Sequence, residues 1–364
     1  MKKRTLVILY WDLGIGGIQK RIRDLVIELS NHHRDWVVYI LLRRKAKDGF
    51  DSQIKTGHQV VIQYFPYSGS RKMRVRFLLW VSWQIFRLKP HVLLTFQHVL
   101  SSVAVTLKLL LWMTPMKVVL NESFLTSYNL TLHRTPLIPS LVGFMYSRAD
   151  TIIVPTRACS YDLVHHFSIP ATKIVIVPNW TCLSPQHSLQ ITFDYLFVGR
   201  FEREKRPLSI VQVTKIVKRR HSDVRVGMMG SGDLSRDLQE AIAAAHLSKT
   251  IRLVPFSQEV ADTLRRAKLL IVPSAAEGMP NVVLEAAMCG IPSVVNGFPG
   301  ADEVVQHKKT GYIGKTDQEM ADYVDYLLEH EQVRKHMGLS AQRHVLRAFA
   351  HNTQRRFIEE LLSK

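Results

Sequence analysis

Acidic residues are scarce in this chain: 30 Asp and Glu stand against 49 Lys and Arg, a net charge of +19 with histidine neutral. A surplus of that size implies an anionic partner, and the candidates are a nucleic acid, the anionic inner face of a membrane or a polyanionic substrate. Much of the basic charge lies in three runs, Arg43 to Lys47, Arg71 to Arg76 and Lys215 to Arg220. Each run is either a binding patch or merely a solvated surface. No recognisable nucleic-acid module frames them, which ranks a membrane surface above nucleic acid.

Cysteine is sparser still. Cys159, Cys182 and Cys289 form no Cys-x-x-Cys pair and leave one odd, which argues against a disulfide framework or a structural zinc site and favours a reducing compartment. No Asp-x-Asp occurs, so the compact carboxylate pair that often holds a metal on a nucleoside diphosphate is missing. His32, His33, His165 and His166 come in pairs but read as lacking acidic or cysteine neighbours, so no metal is expected on them. Long apolar runs are missing too: Val99 to Met113 is interrupted by Lys108 and falls short of the roughly 20 residues that span a bilayer. The basic start runs at once into a short apolar strand, Asp12 and glycines, which excludes a signal peptide from this reading. The expectation is a cytoplasmic protein, peripheral on the inner face of the cell membrane. Sequons at Asn121, Asn129 and Asn179 are then chance matches, and no heptad, solenoid or low-complexity repeat stands out.

What is present fits two domains. A chain of 364 residues exceeds one typical domain, and 46% hydrophobic with 22% charged residues is enough apolar material for two unstapled cores. Apolar runs at Thr5–Tyr10, Trp36–Leu42, Gln59–Tyr64, Val92–Phe96, Lys117–Asn121, Thr151–Pro155 and Ile174–Val177 predict strands, with helices over Ile18–Ser30, Val75–Arg87 and Val99–Trp112. A second series has strands at Tyr195–Gly199, Arg225–Met229, Ile251–Val254, Leu269–Pro273 and Ile291–Asn296. Its helices are Pro207–Arg219, Leu234–Ala245, Glu259–Arg266 and Asn281–Cys289. Strand, turn, helix, strand is the unit of a doubly wound α/β sheet. The boundary is placed at residue 184 within the connection Pro178–Gln190: residues 1–184 form an amino-terminal Rossmann-like domain and 185–346 a second. The helical tail, about 347–364, crosses back to brace the first.

Several strand ends carry polar residues suited to ligand chemistry. After Leu269–Pro273 come Glu277 in a loop, Asn281 as a helix cap, and Glu285 one turn into that helix. Unpaired amides at such a helix start favour an anion, and two carboxylates so placed accept hydrogen bonds from vicinal hydroxyls. The alternative is that Glu285 serves its own helix and Glu277 is solvated. Arg200 and Lys205, after Tyr195–Gly199, are two cations able to grip a diphosphate, whereas Arg203 and Arg206 read as surface charge. Gly230 and Gly232 either let a ligand approach the backbone or make a turn. Gly14, Gly16 and Gly17 sit like a dinucleotide loop, but Gln19 stands where Gly-x-Gly-x-x-Gly closes, which disfavours a nicotinamide enzyme. Glu303 reads equally as a cleft residue or a helix-start carboxylate. His98, Asn121 and Glu122 end first-domain strands, and His98 is either catalytic or an ordinary helix-start residue.

Taken together these segments resemble the retaining glycosyltransferases of family 4 (group 1), which include bacterial lipopolysaccharide and capsule transferases. The resemblance spans nearly the whole chain and is strongest over Val198–Gly314, above all in Glu277-Gly-Met-Pro-Asn-Val-Val-Leu-Glu285 followed by Ala286-Ala-Met-Cys-Gly-Ile-Pro. It implies the GT-B fold, two Rossmann-like doubly wound domains facing a central cleft. It further implies that Glu277 contacts the transferred sugar, with Gly278, Met279, Pro280 and Asn281 around it, and that Glu285 holds the ribose. Arg200 and Lys205 would bind the diphosphate, Gly16 and Gly17 would close over it, Gly230 and Gly232 would line the nucleotide, and Glu303 would flank phosphate and sugar. The implied enzyme is a metal-independent hexosyl- or N-acetylhexosaminyltransferase that needs no cofactor. A nucleotide sugar, most simply a UDP-sugar, is the implied donor, and a glycan or lipid-linked glycan of the cell surface the acceptor. Two departures fall on the acceptor side: Asn121 and Glu122 stand where many members carry a histidine, and Gln19 stands where an acidic residue is common. The helix Met73–Lys89, with Phe77, Trp80, Trp83 and Phe86 among arginines, is either a membrane-facing helix or a packed one. A sugar phosphorylase or nucleotide-sugar epimerase on the same plan is the rival enzyme, though no lysine has a context for pyridoxal phosphate. A basic nucleic-acid-binding protein is the rival from another class.

Overall fold

The central apolar runs form strands that are buried along most of their length, as parallel sheets covered on both faces require, while the strands toward the edges are only partly buried. A computed structural model describes residues 3–14, 16–46, 49–55, 57–66, 73–110, 115–132, 139–185, 189–257 and 260–363. Lys47, Arg71, Lys72, Trp112, Met113 and Glu259, named above, lie outside them. The chain divides into two units, residues 1–178 with 354–364, and residues 179–353.

The first unit runs β1 (Arg4–Tyr10), α1 (Gly17–His32), β2 (Trp36–Leu42), β3 (Val60–Tyr64), α2 (Met73–Leu88), β4 (Val92–Phe96), α3 (His98–Leu110) and β5 (Lys117–Asn121). It continues with α4 (Thr126–Leu132), α5 (Pro139–Tyr146), β6 (Thr151–Val154), α6 (Arg157–Phe167) and β7 (Ile174–Ile176). Its seven strands are parallel in the order β3-β2-β1-β4-β5-β6-β7. The order reverses between β1 and β4, and such a switch point opens a crevice at the carboxyl ends of the two strands.

The second unit holds β8 (Tyr195–Val198), α7 (Pro207–Val217), β9 (Val226–Met229), α8 (Ser235–Ala244), β10 (Ile251–Val254), α9 (Val260–Leu264), β11 (Leu270–Val272) and α10 (Asn281–Met288). After these come β12 (Ser293–Asn296), α11 (Ala301–Val304), β13 (Gly311–Gly314), α12 (Asp317–Glu329) and α13 (Glu331–Ala348), and then α14 (His351–Leu362). The sheet order is β10-β9-β8-β11-β12-β13, with the switch point between β8 and β11. Successive strand residues enter opposite cores: Tyr195, Phe197 and Ile271 face one layer of helices, Leu196, Val198 and Leu270 the other.

The linker residues 179–184, read from sequence with the first domain, fall in the second unit. Asn179 explains why: its Nδ2 donates to the Met279 carbonyl at 2.9 Å and to Asn281 Oδ1 at 2.7 Å. The last helix returns to the first unit. Gln354 Nε2 donates to the Asp24 carbonyl at 3.0 Å, Arg21 lies over the Phe357 ring, and Lys117 Nζ binds the carbonyls of Glu360 and Ser363. A cation there satisfies carbonyls that the helix end leaves unbonded. The histidine pairs need a correction, because two of them do have carboxylate neighbours. Glu28 lies 3.7 Å from His32 and Asp162 3.2 Å from His166, each one helical turn earlier.

Candidate active site

Beyond β8 the chain passes Gly199 and Arg200 into a short 3-10 turn, Arg203–Lys205. Arg206, in the left-handed region at φ 49°, closes that turn, and Pro207 opens α7 with the fixed φ a first helical residue needs. Beyond β11 runs the loop 273–280. The two strands are neighbours at the switch point, so both loops leave the same end of the sheet. There Lys205 Nζ donates to Glu277 Oε1 at 2.6 Å, and Ser274 Oγ donates to the same oxygen at 2.7 Å. Glu277 is only 5% exposed, and a carboxylate so buried persists when a cation and hydrogen bonds compensate its lost hydration. The loop is tied on both sides. Ala275 N–H donates to the Glu204 carbonyl at 2.8 Å, and Asn296 Nδ2, at the end of β12, donates to the Ser274 carbonyl at 3.0 Å.

Arg200 stands beside this pair. Its Nη1 donates to Glu202 Oε1 at 2.9 Å and its Nη2 to Glu204 Oε1 at 3.1 Å. Helix α10 then begins with Pro280 as its cap residue, in extended backbone. The capping role expected of Asn281 is therefore corrected: Asn281 is the first helical residue, its Oδ1 accepts from Asn179, and no side chain caps the first turn. Gly278 and Met279 are buried in the approach to that turn. Glu285 follows one turn on, also buried. With burial as the larger cause, it helps push the Cys289 thiol up to about 12, which leaves that cysteine an inert core group.

The glycines after β9 have a packing reason. A Cβ on Gly230 would lie 2.0 Å from the Gly199 carbonyl oxygen, and one on Gly232 2.7 Å from the Phe201 carbonyl oxygen. Backbone crosses backbone there, so the turn needs glycine whatever it binds. Gly300, at φ 85°, precedes the four-residue helix α11, whose third residue, Glu303, is half-buried.

The first unit furnishes its switch point differently. Gly16 caps α1 and Gly17 opens it, with no acidic residue in the first turn. Trp11 Nε1, just past β1, donates to Gln97 Oε1, just past β4, at 3.0 Å. Gln97 takes a left-handed conformation at φ 72°, unusual for a residue with a side chain. His98 follows as the first, buried residue of α3. At the end of β5, Asn121 is fully buried; its Nδ2 donates to Ser123 Oγ at 2.8 Å while Oδ1 has no partner among the described residues. Glu122 is 2% exposed and turned inward, with Oε1 accepting from Ser101 Oγ and from Tyr146 OH, each at 2.7 Å. Burial pushes its carboxyl up to about 7 despite those two hydrogen bonds, and nearby Asp162 adds to the rise. Glu122 is a packed carboxyl that ties α3 and α5 to the end of β5.

Lys205 and Glu277 are thus joined directly, and Arg200 stands beside them through Glu204. Asn281 and Glu285 lie along the helix that continues from the Glu277 loop. His98 and Glu122 are gathered separately in the first unit. Ser274, Glu202, Glu204, Asn179 and Asn296 were not singled out from sequence. Only the acidic residues interleaved in Arg200-Phe-Glu-Arg-Glu-Lys205 carried a visible signal.

Comparison with known proteins adds to this geometry. The family profile described as Glycosyl transferases group 1 matches residues 190–344, and that described as Glycosyltransferase Family 4 matches residues 15–184. D-inositol 3-phosphate glycosyltransferase of Pseudarthrobacter chlorophenolicus is 27% identical over 213 residues, covering 53% of this chain and 51% of that protein. N-acetyl-alpha-D-glucosaminyl L-malate synthase of Bacillus anthracis is 27% identical over 246 residues, covering 60% and 63%. A Campylobacter jejuni enzyme named N-acetylgalactosamine-N,N'-diacetylbacillosaminyl-diphospho-undecaprenol 4-alpha-N-acetylgalactosaminyltransferase is 26% identical over 204 residues, covering 54% and 55%. The chain spans about half the length of the curated relatives it matches. Among solved structures, Anabaena Alr3699/HepE in complex with UDP and glucose superposes with a TM-score of 0.83 at 15% identity, covering 99% of both chains. WaaG, a glycosyltransferase involved in lipopolysaccharide biosynthesis, gives 0.78 at 12% identity over 99% and 100%. At such identities the likeness shows the fold, two parallel-sheet Rossmann-like domains of the GT-B kind.

Proposed function

Because the chain belongs to the glycosyltransferases of group 1 and family 4, we propose that it moves a sugar from a UDP-sugar onto a glycan or lipid-linked glycan acceptor, with retention of anomeric configuration. The observation that carries this reading is Lys205 and Ser274 converging on the buried Glu277 at the switch point of the second sheet. A nucleoside diphosphate bound there meets Lys205 and Arg200 as counter-charges, so the protein's own cations do the work a metal performs elsewhere. Glu277 receives the sugar hydroxyls, with Gly278, Met279, Pro280 and the α10 amides beside it, and Glu285 the ribose hydroxyls. Gly230, Gly232 and Glu303 line the nucleotide side.

In the reaction the bond between the anomeric carbon and the diphosphate oxygen breaks while the acceptor oxygen bonds to that carbon on the same face. The acceptor proton passes to the departing phosphate, and Lys205 and Arg200 stabilise the charge that builds there. His98 and Asn121 in the first unit are assigned to the acceptor. The hexose or N-acetylhexosamine class is supported by the names of the Bacillus and Campylobacter relatives, and a cell-surface polysaccharide context by the latter and by WaaG.

A peripheral membrane position is supported by α2. Val75, Leu79, Trp83 and Phe86 form an exposed stripe at helical spacing, flanked by Arg76 and by Arg87, whose guanidinium lies over the Trp83 ring. Phe77, Val81 and Ile85 on the other face are buried, so the helix is both packed and outward-facing. No helix among the described residues is long and apolar enough to cross a membrane.

The donor assignment is tested by thermal shift with UDP-, GDP- and ADP-sugars, since only a ligand of the folded state raises its stability. A UDP-sugar is expected to raise the melting temperature, and Glu285→Ala to diminish that rise. No shift with any of the three would overturn the reading.

A further inference from the structure

The donor reading leaves two carboxylates beside the phosphate cations without a task, Glu202 and Glu204. Resting on that reading, we propose that both are positioning residues for Arg200: Glu204 anchors the guanidinium, and Glu202 competes with the donor diphosphate for it.

The two carboxylates share one guanidinium but differ in freedom. Glu204 has a side chain 9% exposed, its backbone carbonyl accepts from Ala275 of the Glu277 loop, and it directly precedes Lys205, so it is fixed to the same framework as the Lys205–Glu277 pair. Glu202 precedes the 3-10 turn in extended backbone with its side chain 29% exposed, and it can swing into water. The Arg200 side chain is 61% exposed, so its bond to Glu202 is a screened ion pair that exchanges at little cost. A diphosphate offers two anionic oxygens in the geometry that guanidinium binds best. It therefore replaces Glu202 on Nη1, while Glu204 keeps Nη2 and the orientation of the plane.

Proton binding sets the strength of this competition. Burial first, then the hydrogen bond with Glu204, pushes the Glu202 carboxyl up to about 7; Asp233 adds to the rise and Arg200 opposes it. Burial works to raise the Glu204 carboxyl, but the hydrogen bond from Glu202, then a backbone hydrogen bond, Arg200 and Lys205 outweigh it and hold the group below the ordinary value. Protonated Glu202 donates to Glu204 and leaves Nη1 to the phosphate. Ionised Glu202 claims Nη1 and repels the incoming diphosphate. Donor affinity should therefore fall as pH rises through about 7, the value at which Glu202 loses its proton.

The experiment is a titration of wild type, Glu202→Gln and Glu204→Gln with UDP-, GDP- and ADP-glucose at about pH 6 and about pH 8.5, the melting curve of each variant being recorded first. A nucleotide sugar is used because its diphosphate is esterified at both ends and does not titrate near neutrality. Wild type should lose about two- to fivefold in affinity across that range, as expected for one partly exposed charge. Glu202→Gln should keep the low-pH affinity at both values, an outcome that a purely structural Glu202 would not produce. Glu204→Gln should bind several-fold more weakly at both, with Glu204→Asp partly restoring binding. A wild-type slope retained in Glu202→Gln overturns the proposal even where Glu204→Gln does not fold. Failure of wild type to bind any of the three sugars overturns the donor reading itself.

Discussion

The two sheets reverse strand order at equivalent places, between β1 and β4 in one unit and between β8 and β11 in the other, yet each furnishes its own crevice with different side chains. The second unit gathers charge: Arg200 pairs with Glu202 and Glu204 within one loop, and Lys205 with Glu277 across the loops of two adjacent strands. The first unit sets one ion pair, Asp12 with Arg44, beside amide and aromatic groups, Trp11 on Gln97, then His98 and Asn121, and buries the carboxyl of Glu122. Topology decides where a crevice forms, and side chains decide what it accepts.

The largest effect is expected from Lys205→Ala. Transfer should fall by about 10²–10³-fold, because a cation aimed at the developing phosphate charge is removed. The variant should also melt lower, since Glu277 is left buried without its counter-ion. Steady-state transfer to acceptor and a melting curve check both, and wild-type turnover in the variant would erase the contrast between the crevices.

Glu122→Gln probes the other side. Its folded-state carboxyl is raised from 4.5 to about 7, so the folded protein holds that proton more tightly than the unfolded chain does. The stability tied to the proton is fully present below about 4.5 and is lost as pH rises to about 7, a loss of about 3 kcal/mol by linkage. Glutamine keeps an acceptor for Ser101 and Tyr146 without the titration. Its melting temperature should therefore exceed that of wild type at about pH 8 and match it near pH 5. An unchanged stability difference across that range would show that Glu122 does not titrate in the fold.

The smallest effect concerns the exposed stripe of α2. Flotation with anionic vesicles at physiological salt should recover wild type, and Trp83→Ser with Phe86→Ser should recover less, by a few-fold. Equal recovery of both, or of neither, removes the membrane role from the first unit.

The strands were legible because their apolar runs are buried on both faces, so composition alone marked β1, β4, β5, β8 and β11. β13 was not read: Gly311-Tyr-Ile-Gly314 is too short and glycine-flanked to stand out, and only its pairing with β12 makes it a strand. The helix-start role of Asn281 failed because a proline occupied the cap and a residue 102 positions away offered a better partner. The meeting of Lys205 with Glu277 spans 72 residues, and no local pattern encodes it. Glu202 and Glu204 were not marked because burial, which gives them their chemistry, is a property of the fold and not of their neighbours in sequence. The histidines were misread by counting adjacent residues instead of those one helical turn away.

The Lys205–Glu277 pair is the proposed place of donor binding. The most direct test is calorimetric titration of the nucleotide sugar that stabilises the wild type into the double variant Lys205→Met with Glu277→Gln. Removing both charges together leaves no unpaired ion, so the fold and melting temperature should stay close to wild type. Donor affinity should nonetheless fall by about tenfold or more, as expected for the loss of charge-assisted hydrogen bonds. A folded double variant that binds the donor as tightly as wild type would contradict the account.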